Sequence, residues 1–411
     1  MNKLERLFSI TVLTVLLSLS VYSLAIKEQD TLSTQEKRTL STNADLKDLS
    51  LLDSKFHATV ESILADQFFE RYRFVKEKSE LNYSFTQTIY QFVDNPFILK
   101  RIGDTAVYQI GNTPYLTAYP LVKNMDYEKR ILDRIDQINQ LANDYPDVHV
   151  YVYKPTQLIE TSLLDQSNSM ESAGEYYTSL FSLNLKVPFA SLEINSFDDY
   201  LRYLYYSDHH WTHQGIYQGY LDIVKLMFGN DDNVLVPWGE NCFDDLRFYG
   251  TTSVITGKIT EPAPFCVYGY TMPPYTLWYE NQIRDVHYDS NNFYFVGPSG
   301  REGYHYDEAY NLIQEPLTLI ELDTPALNQE NILIIGDSYA PAVLPLLANH
   351  FNQIFYVNPL TYESVYDEKF AYDSFIKDHS IKNVLFMYII DNYIVSDEWG
   401  ERYKSFDIVR D

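Results

Sequence analysis

Hydrophobic and polar positions divide the first part of the chain into distinct patterns. An uncharged apolar stretch covers residues 7–26, and residues 27–51 are polar and show no periodicity. From residue 55, and again after Asp126, apolar residues recur about every 3.6 positions, which predicts two amphipathic helical segments. The first stretch is long enough for a membrane-spanning helix, and the polar stretch is typical of a linker.

The period then changes to that of β-strands. Residues 148–153 alternate and are rich in Val and Tyr. Three more short apolar runs lie near the C-terminus, at residues 332–335, 354–357 and 384–390, and helix-compatible segments separate them, including residues 340–350 and 372–377. Strands and helices that alternate at this spacing predict βαβ units. We therefore expect an α/β fold, a doubly wound parallel sheet with helices on both faces.

A long stretch without clear periodicity interrupts this pattern. It follows a predicted helix over residues 212–228, for which Thr212 is a suitable N-cap, and it ends before the strand at Ile332. A structureless loop of this length is uncommon in a compact domain. We expect an inserted region rich in short strands and loops at about residues 231–316.

The N-terminus predicts the topology of the chain. Lys3 and Arg6 precede the apolar stretch, which places the N-terminus inside and the rest of the chain outside the membrane. The small residues around Ala25 also resemble a cleavage site, so a removable signal peptide is the alternative. We expect a membrane anchor or signal segment at residues 1–30, a linker and amphipathic helix at 31–100, and an exported α/β domain at 101–411. The protein is then membrane-bound through one span, or secreted if the segment is cleaved.

Composition excludes one class of partner and leaves the state of the cysteines open. Lys and Arg number 31 against 57 Asp and Glu, a net charge of −26. Phosphate binding requires clustered basic residues, so this charge argues against nucleic acid as a partner. The two cysteines, Cys242 and Cys266, lie in the inserted region and are compatible with one disulfide or with two free thiols.

A first candidate for chemistry is Ser338, which follows the strand at Ile332 in the sequence Gly-Asp-Ser. A serine in a strand-to-helix turn lies at the carboxyl end of a sheet, where backbone N–H groups and the helix N-terminus face a developing oxyanion. Gly336 permits the tight turn and a close approach by substrate. The alternative is a plain helix cap, since Asp and Ser are favoured there.

A second candidate is the segment of residues 207–213, Ser-Asp-His-His-Trp-Thr-His, just before a helical pattern. The carboxylate of Asp208 is two residues from His210 and can hold its Nδ1–H, which leaves Nε2 free to accept a proton. A structural polar pair is one alternative. A metal site of His209, His210 and His213 is another, although the Glu-containing helical motif of zinc proteases is absent.

The two segments together supply a nucleophile, a base and a group that orients the base. We therefore predict Ser338 as nucleophile, His210 as base and Asp208 as orienting carboxylate. The order Asp, His, Ser differs from that of most α/β hydrolases, but a triad is defined by geometry. This chemistry requires neither a metal nor an organic cofactor.

Asp208-His209-His210-Trp211 resembles the signature of the DHHW protein family of Gram-positive bacteria. That family is similar to the alginate O-acetyltransferase-like SGNH hydrolases, whose Asp-x-His-Trp motif precedes the serine motif. Further segments that resemble these proteins are residues 36–40, 66–71 and 152–155. The resemblance covers nearly the whole chain but is loose over residues 231–316.

The resemblance implies that an acetyl group moves to or from a cell-surface polysaccharide through an acetyl-serine. It also implies a possible partner, a membrane-bound O-acyltransferase. Transfer to a sugar and hydrolysis use the same triad, so O-acetyltransferase and acetylesterase stay open. The alternative from another class is a non-catalytic polysaccharide-binding component of an assembly or O-acetylation complex.

SGNH enzymes complete the oxyanion hole with a Gly and an Asn from other loops. The candidates here are Gly336 and the two asparagines that follow the last two strands, Asn358 and Asn392. Each Asn is also a typical turn residue.

Overall fold

The computed structural model describes residues 3–33, 38–47, 50, 54–90, 95–103, 105–230, 232–257, 259–284, 302–304, 318–324 and 330–394. Glu36 and Lys37 of the family-like segment, and residues 285–301 and 305–317 of the predicted insertion, lie outside this set. The chain divides into two compact units. The first contains residues 1–93, 101–105 and 254–259, and the second contains the remaining residues.

The first unit is mainly helical. Its elements are α1 (Lys3–Ala25), β1 (Leu32–Ser33), β2 (Arg38–Thr39), a 3-10 helix at Asn43–Leu46, α2 (Ser54–Gln67) and α3 (Arg71–Tyr90). The helical pattern that starts at residue 55 is therefore divided between two helices. Glu70, between them, has a φ of 54°, and this left-handed backbone ends the regular helical geometry.

The helix α1 is apolar and almost fully exposed within its unit. Its segment Arg6–Leu24 has a mean hydropathy of 2.0 and is 6% buried. The hydroxyls of Thr11, Thr14 and Ser20 donate to carbonyl groups four residues earlier, at 2.8 to 2.9 Å. Polar side chains of the helix are thus satisfied internally, as a lipid environment requires. By length and composition the helix fits a membrane anchor or a signal sequence.

The predicted linker is partly structured. Asp66 Oδ2 accepts the N–H of Ser41 at 2.8 Å. The buried Gln67 amide accepts the N–H of Asp30 at 3.1 Å and donates to the carbonyls of Asp30 and Ser41 at 2.8 and 2.9 Å. The C-terminal turn of α2 therefore fixes the backbone on both sides of the β1–β2 pair, which the polar composition alone did not predict.

The second unit contains most of the regular structure. Its strands are β3 (Leu99–Arg101), β4 (Val107–Ile110), β5 (Leu116–Ala118), β6 (His149–Lys154), β7 (Phe189–Ser191), β8 (Gly239–Phe248), β9 (Ala263–Gly269), β10 (Thr276–Tyr279), β11 (Gln282–Arg284), β12 (Glu302–Tyr304), β13 (Leu319–Asp323), β14 (Asn331–Gly336), β15 (Gln353–Val357) and β16 (Ile381–Met387). Its helices are α4 (Met125–Asp144), α5 (Asp165–Asn168), α6 (Gly174–Asn184), α7 (Phe197–Tyr203), α8 (His213–Phe228), α9 (Thr251–Ile255), α10 (Leu344–Leu347), α11 (Pro359–Tyr366), α12 (Tyr372–Asp378) and α13 (Ile390–Ile394). The last two residues of α9 and the last of β3 count with the first unit.

A mixed sheet forms the centre of this unit. Across the described residues its strand order is β11-β10-β13-β15-β14-β16-β6-β7. The strands from β15 to β7 are parallel, whereas β13, β10 and β11 run antiparallel at the other edge. The predicted α/β class is confirmed. The sheet is mixed rather than wholly parallel because β13, which follows the predicted insertion, pairs antiparallel with β15, and the insertion adds β10 and β11 beyond it.

Helices cover both faces of the sheet. Along β14, Ile332 and Ile334 pack with α8 and α10 on one face, while Leu333 and Ile335 pack with α4 and α6 on the other. All four side chains are buried because a strand alternates its side chains between two covered faces. The continuous apolar run of β14 reflects this central position.

The described part of the predicted insertion contains the strands β8 to β12, turns and the short helix α9. Cys242 and Cys266 lie opposite each other on β8 and β9 and form a disulfide. Glu280 and Asn281 connect β10 and β11 with φ values of 50° and 57°. Two successive left-handed residues give the turn a twist that matches an antiparallel hairpin. The insertion is therefore continuous with the main fold.

Other predicted elements are confirmed with changed boundaries. The helix after Asp126 is α4, the strand at residues 148–153 is β6, and the segment at residues 372–377 is α12. The last strand, β16, ends at Met387, before the predicted end. Residues 340–350 form a 3-10 turn at Ala340–Ala342 and the short α10 rather than one helix, since Pro341 and Pro345 remove backbone donors.

Candidate active site

Ser338 lies in the turn that follows β14, at the carboxyl end of the sheet, and is half-buried. The N–H of Asp337 donates to the carbonyl of Met387 at 3.2 Å, and the N–H of Tyr339 donates to Asp337 Oδ1 at 3.0 Å. A Cβ on Gly336 would lie 2.6 Å from the Met387 carbonyl, so glycine is required for this close approach. The turn is thereby held against the end of β16.

The carboxylate of Asp337 fixes the serine turn from the other side. Its Oδ2 accepts the N–H of Ile389 at 2.9 Å and the side-chain amide of Asn392 at 2.8 Å. Burial raises the pKa of Asp337 to about 6, although the N–H groups of Ile389 and Tyr339 oppose that rise. In the sequence, Asp337 stands out only as the middle residue of Gly-Asp-Ser. The structure makes it the junction between β14 and the segment after β16.

The segment that contains Asp208 and His210 ends at the N-terminus of α8. Thr212 caps this helix as predicted: its hydroxyl accepts the N–H of Gly215 at 3.3 Å and donates to the carbonyl of Arg202 at 2.5 Å. The N–H of Tyr205 donates to the His210 carbonyl at 3.0 Å. These bonds fold the segment into a compact loop.

Trp211 fixes this loop on α8. Its side chain is fully buried. A Cβ on Gly219 would lie 2.4 Å from the indole, and one on Gly215 would lie 2.8 Å from the Trp211 Cβ. Gly219 therefore forms a groove that receives the indole, and Gly215 permits the close approach of the Trp211 Cβ and of the Tyr203 carbonyl, which would lie 2.2 Å from a Cβ on Gly215. The tryptophan of the motif is thus a structural residue that orients its neighbours.

The structure brings the three predicted residues together. His210 Nε2 is 2.7 Å from Ser338 Oγ, and His210 Nδ1 is 3.0 Å from Asp208 Oδ2. An ionised carboxylate only accepts hydrogen bonds, so Nδ1 carries the hydrogen and Nε2 accepts the serine hydroxyl. This arrangement can remove a proton from Ser338 when the serine attacks an acyl carbon.

Asp208 is fully buried and has further donors. Its Oδ1 accepts the N–H groups of His209 at 2.9 Å and Thr251 at 3.1 Å, and a Cβ on Gly250 would lie 2.1 Å from the Asp208 Cβ. Burial favours a higher pKa for Asp208, but the nearby charges of His210 and His209 outweigh it and hold the pKa far below its usual value. Asp208 therefore stays ionised. No local pattern marks Gly250 and Thr251, which come from the inserted region.

Tyr339 connects the two loops of the site. Its hydroxyl donates to the carbonyl of His209, and its buried ring lies 4.9 Å from that of His210. The amide of Gln157 donates to the same hydroxyl at 3.5 Å. Tyr339 is one of 37 tyrosines, and nothing in the sequence distinguishes its role from theirs. Its role depends on the fold.

A buried ion pair lies at the end of β6. Lys154 and Glu160 are both fully buried and in contact, and Glu160 also accepts the N–H of Gln157 at 2.9 Å. The pair therefore shapes the turn that carries Gln157 to Tyr339. This is the lysine of the family-like segment at residues 152–155, and its contacts are those of a structural residue.

The predicted oxyanion candidates make other contacts. Asn358 caps α11, with its Oδ1 accepting the N–H groups of Leu360 at 3.1 Å and Thr361 at 3.4 Å. Asn392 donates its amide to Asp337. These are the turn-residue roles that were the alternative for each, and they follow from the favourable capping geometry of Asn. A donor role toward an oxyanion stays a prediction for Asn358, Asn392 and Gly336.

The structure separates His213 from His209 and His210, the other two histidines of the possible metal site. His213 Nε2 lies 2.5 Å from Glu240 Oε1, so its imidazole is engaged away from the other two histidines. Asp208, His209 and His210 together offer ligand atoms within 4.8 Å of one another. A metal there would compete with the hydrogen bonds of His210 to Asp208 and Ser338. The residues present fit an acid–base role more directly.

The fold is similar to those of solved structures. PatB1 from Bacillus cereus is 17% identical, with 72% of this chain and 98% of PatB1 aligned at a TM-score of 0.53. The chain has the fold of PatB1. A PatB1 structure with a sulfonyl adduct aligns at 0.52, with 17% identity over 71% of this chain and 97% of PatB1. No family model matches the sequence, and neither does any curated protein.

Two other solved structures align less closely than PatB1. A DHHW family protein from Eubacterium siraeum is 15% identical, covering 72% of this chain and 94% of its own, with a TM-score of 0.48. The O-acetyltransferase domain of Pseudomonas putida AlgJ is 9% identical, covering 71% and 93%, with a TM-score of 0.41. The chain resembles the DHHW family in its motif, and its PatB1-like fold carries that motif at the site described above.

Proposed function

We propose that this protein is a serine-dependent acyl-transfer enzyme, an O-acetyltransferase or acetylesterase of the SGNH type, that acts outside the cytoplasm on a cell-surface polysaccharide. One observation carries the proposal: Asp208, His210 and Ser338 form a continuous hydrogen-bonded chain at the carboxyl end of a mixed α/β sheet. The family-like motif supports the acetyl group and the glycan as substrates.

The chemistry proceeds in two half-reactions. Ser338 Oγ attacks the acetyl carbonyl of the donor while His210 Nε2 takes the serine proton, and Asp208 stabilises the resulting imidazolium. The tetrahedral intermediate expels the donor alcohol, which receives the proton from His210, and acetyl-serine remains. A sugar hydroxyl or water then attacks, gives its proton to His210 and leaves with the acetyl group, and the proton returns to Ser338.

The topology supports a site outside the cytoplasm. The apolar segment Arg6–Leu24 has the basic residues Lys3 and Arg6 at its N-terminal end, so a single span would export the second unit. Acetyl groups would then have to arrive from another source. A membrane-bound O-acyltransferase is a suitable partner, since it would deliver the donor at the same surface.

The triad is tested by hydrolysis of p-nitrophenyl acetate with the full-length protein in detergent. We expect Ser338→Ala and His210→Ala each to lower kcat/KM by about a thousandfold or more, because a triad acts as a unit. His213→Ala is the matched control, since His213 lies in the same segment but pairs with Glu240. Full activity in both triad variants would eliminate the serine mechanism, and chelator-sensitive activity would favour a metal site instead.

A further inference from the structure

A second imidazole shares the carboxylate that orients His210. His209 Nδ1 lies 3.1 Å from Asp208 Oδ1, while His210 Nδ1 uses Oδ2 of the same side chain. Since Nδ1 of His209 faces the carboxylate, its Nε2 is directed away from Asp208. The two oxygens of one buried carboxylate thus fix the orientation of both rings.

The two rings lie against each other at a tilt, but their exposure differs. Their centroids are 3.9 Å apart with an interplanar angle of 38°. The His210 side chain is 5% exposed, whereas that of His209 is 39% exposed. His210 is occupied by Asp208 and Ser338. His209 is therefore the more exposed of two neighbouring rings, and its Nε2 is the ring nitrogen that does not face Asp208.

The backbone of His209 is held in place as firmly as its ring. Its N–H donates to Asp208 Oδ1 at 2.9 Å, and its carbonyl accepts the hydroxyl of the buried Tyr339. Titratable groups near the ring include Asp208, Asp337, Asp391 and the neutral imidazole of His210. Burial opposes protonation of His209, but the carboxylates, Asp208 above all, outweigh it and raise the pKa of His209. A preorganised, solvent-facing imidazole is suited to binding substrate rather than to supporting the fold.

We propose that His209 binds the acceptor in the second half-reaction, and that it selects acceptors with two neighbouring hydroxyl groups. This inference rests on the acetyl-serine mechanism proposed above. One hydroxyl attacks acetyl-serine and gives its proton to His210 Nε2, while the adjacent hydroxyl bonds to His209 Nε2. A hydroxyl donates to a neutral imidazole and accepts from a protonated one, so it fits either state. A vicinal diol of a sugar has this geometry, whereas a monohydric alcohol lacks the second group.

The test measures how acetyl-serine divides between acceptors. The full-length protein is acetylated with p-nitrophenyl acetate, and transfer to ethylene glycol is compared with transfer to ethanol at equal concentrations, each relative to hydrolysis. This ratio is set only by how the acyl-enzyme reacts after it has formed, so it does not depend on the acylation rate or on the fraction of folded enzyme. The wild type should prefer the glycol beyond the statistical advantage of its second hydroxyl.

His209→Phe keeps an aromatic ring against His210 but removes both nitrogens. We expect the preference for glycol to fall about tenfold, which corresponds to one lost hydrogen bond. His213→Phe is the matched control and should keep the wild-type preference. An unchanged preference in His209→Phe would overturn the role of His209, while release of p-nitrophenol that depends on Ser338 still supports the triad. Release that is unchanged in Ser338→Ala would overturn both proposals.

Discussion

At the scale of single residues, two buried carboxylates of the site differ in their ionisation. Asp208 faces two imidazoles, whose charges lower its pKa in spite of its burial. Asp337 accepts mainly from neutral N–H groups, and burial dominates there and raises its pKa to about 6. The first carboxylate can serve as a permanent negative charge beside His210. The second fixes the turn around Ser338 and titrates near the acidic end of the physiological range.

The raised pKa of Asp337 predicts a specific pH dependence of stability. Between the ordinary value of 3.8 and about 6, the folded state binds more protons at Asp337 than the unfolded state, so stability falls as pH rises through this window. The free energy of unfolding of the wild type should fall by up to about 3 kcal/mol relative to Asp337→Asn. Denaturant unfolding at several pH values measures this difference, and parallel curves for the two proteins would contradict it.

At the scale of elements, α8 is shaped by what packs against it. Gly219 leaves space for the indole of Trp211, Gly215 for the Trp211 Cβ and the Tyr203 carbonyl, and Thr212 caps the helix. In an exposed helix, glycine would only weaken the element. Here the two glycines allow the loop and the helix to approach, and this contact sets the position of His210.

Gly219→Ala should therefore reverse the usual effect of alanine in a helix. Alanine normally stabilises a helix by about 1 kcal/mol over glycine. At Gly219 the added Cβ would lie 2.4 Å from a fully buried indole, so we expect a net loss of about 1–3 kcal/mol and a lower kcat. Gly239→Ala is the control, because a Cβ there meets nothing within 4 Å. Thermal unfolding distinguishes the outcomes, and a stabilised Gly219→Ala would refute the groove.

At the scale of the whole molecule, one unit carries an apolar helix and the other carries the candidate site. The net charge of −26 disfavours polyanionic partners such as nucleic acid. The role of α1 follows from its composition, since Leu13 and Leu17 are exposed along most of their surface. Such a surface is stable in lipid or as a signal segment.

A membrane-anchoring role for α1, which we propose, predicts a change in fractionation. The wild type should remain with membranes after an alkaline wash, and the double variant Leu13→Lys and Leu17→Lys should be released, since each charge costs about 3 kcal/mol at the centre of a span. Leu183→Lys, on the exposed face of α6, is the control and should stay with the membrane. A mature N-terminus just after Ala25 would instead identify a signal peptide.

The sequence alone was sufficient for features that depend on local pattern. Apolar periodicity identified α4, α8 and β14, and the spacing of Asp208 and His210 indicated a pair on a loop before a capped helix. Local rules suffice here because strand alternation, helix period and capping act over a few residues. The same rules predicted Ser338 as the nucleophile and His210 as its base, but they could not show that the two side chains lie close together.

Only the tertiary structure decided which distant groups meet. His210 and Ser338, 128 positions apart in the sequence, come within 2.7 Å of each other because β14 is central in the sheet and Trp211 holds the loop on α8. Tyr339, Thr251 and Gly250 complete the site without any mark in the sequence. The side-chain amide of Asn392, a predicted oxyanion candidate, donates to Asp337, and this contact also depends on the fold. Packing and long-range register set these contacts, and neither can be read from local pattern.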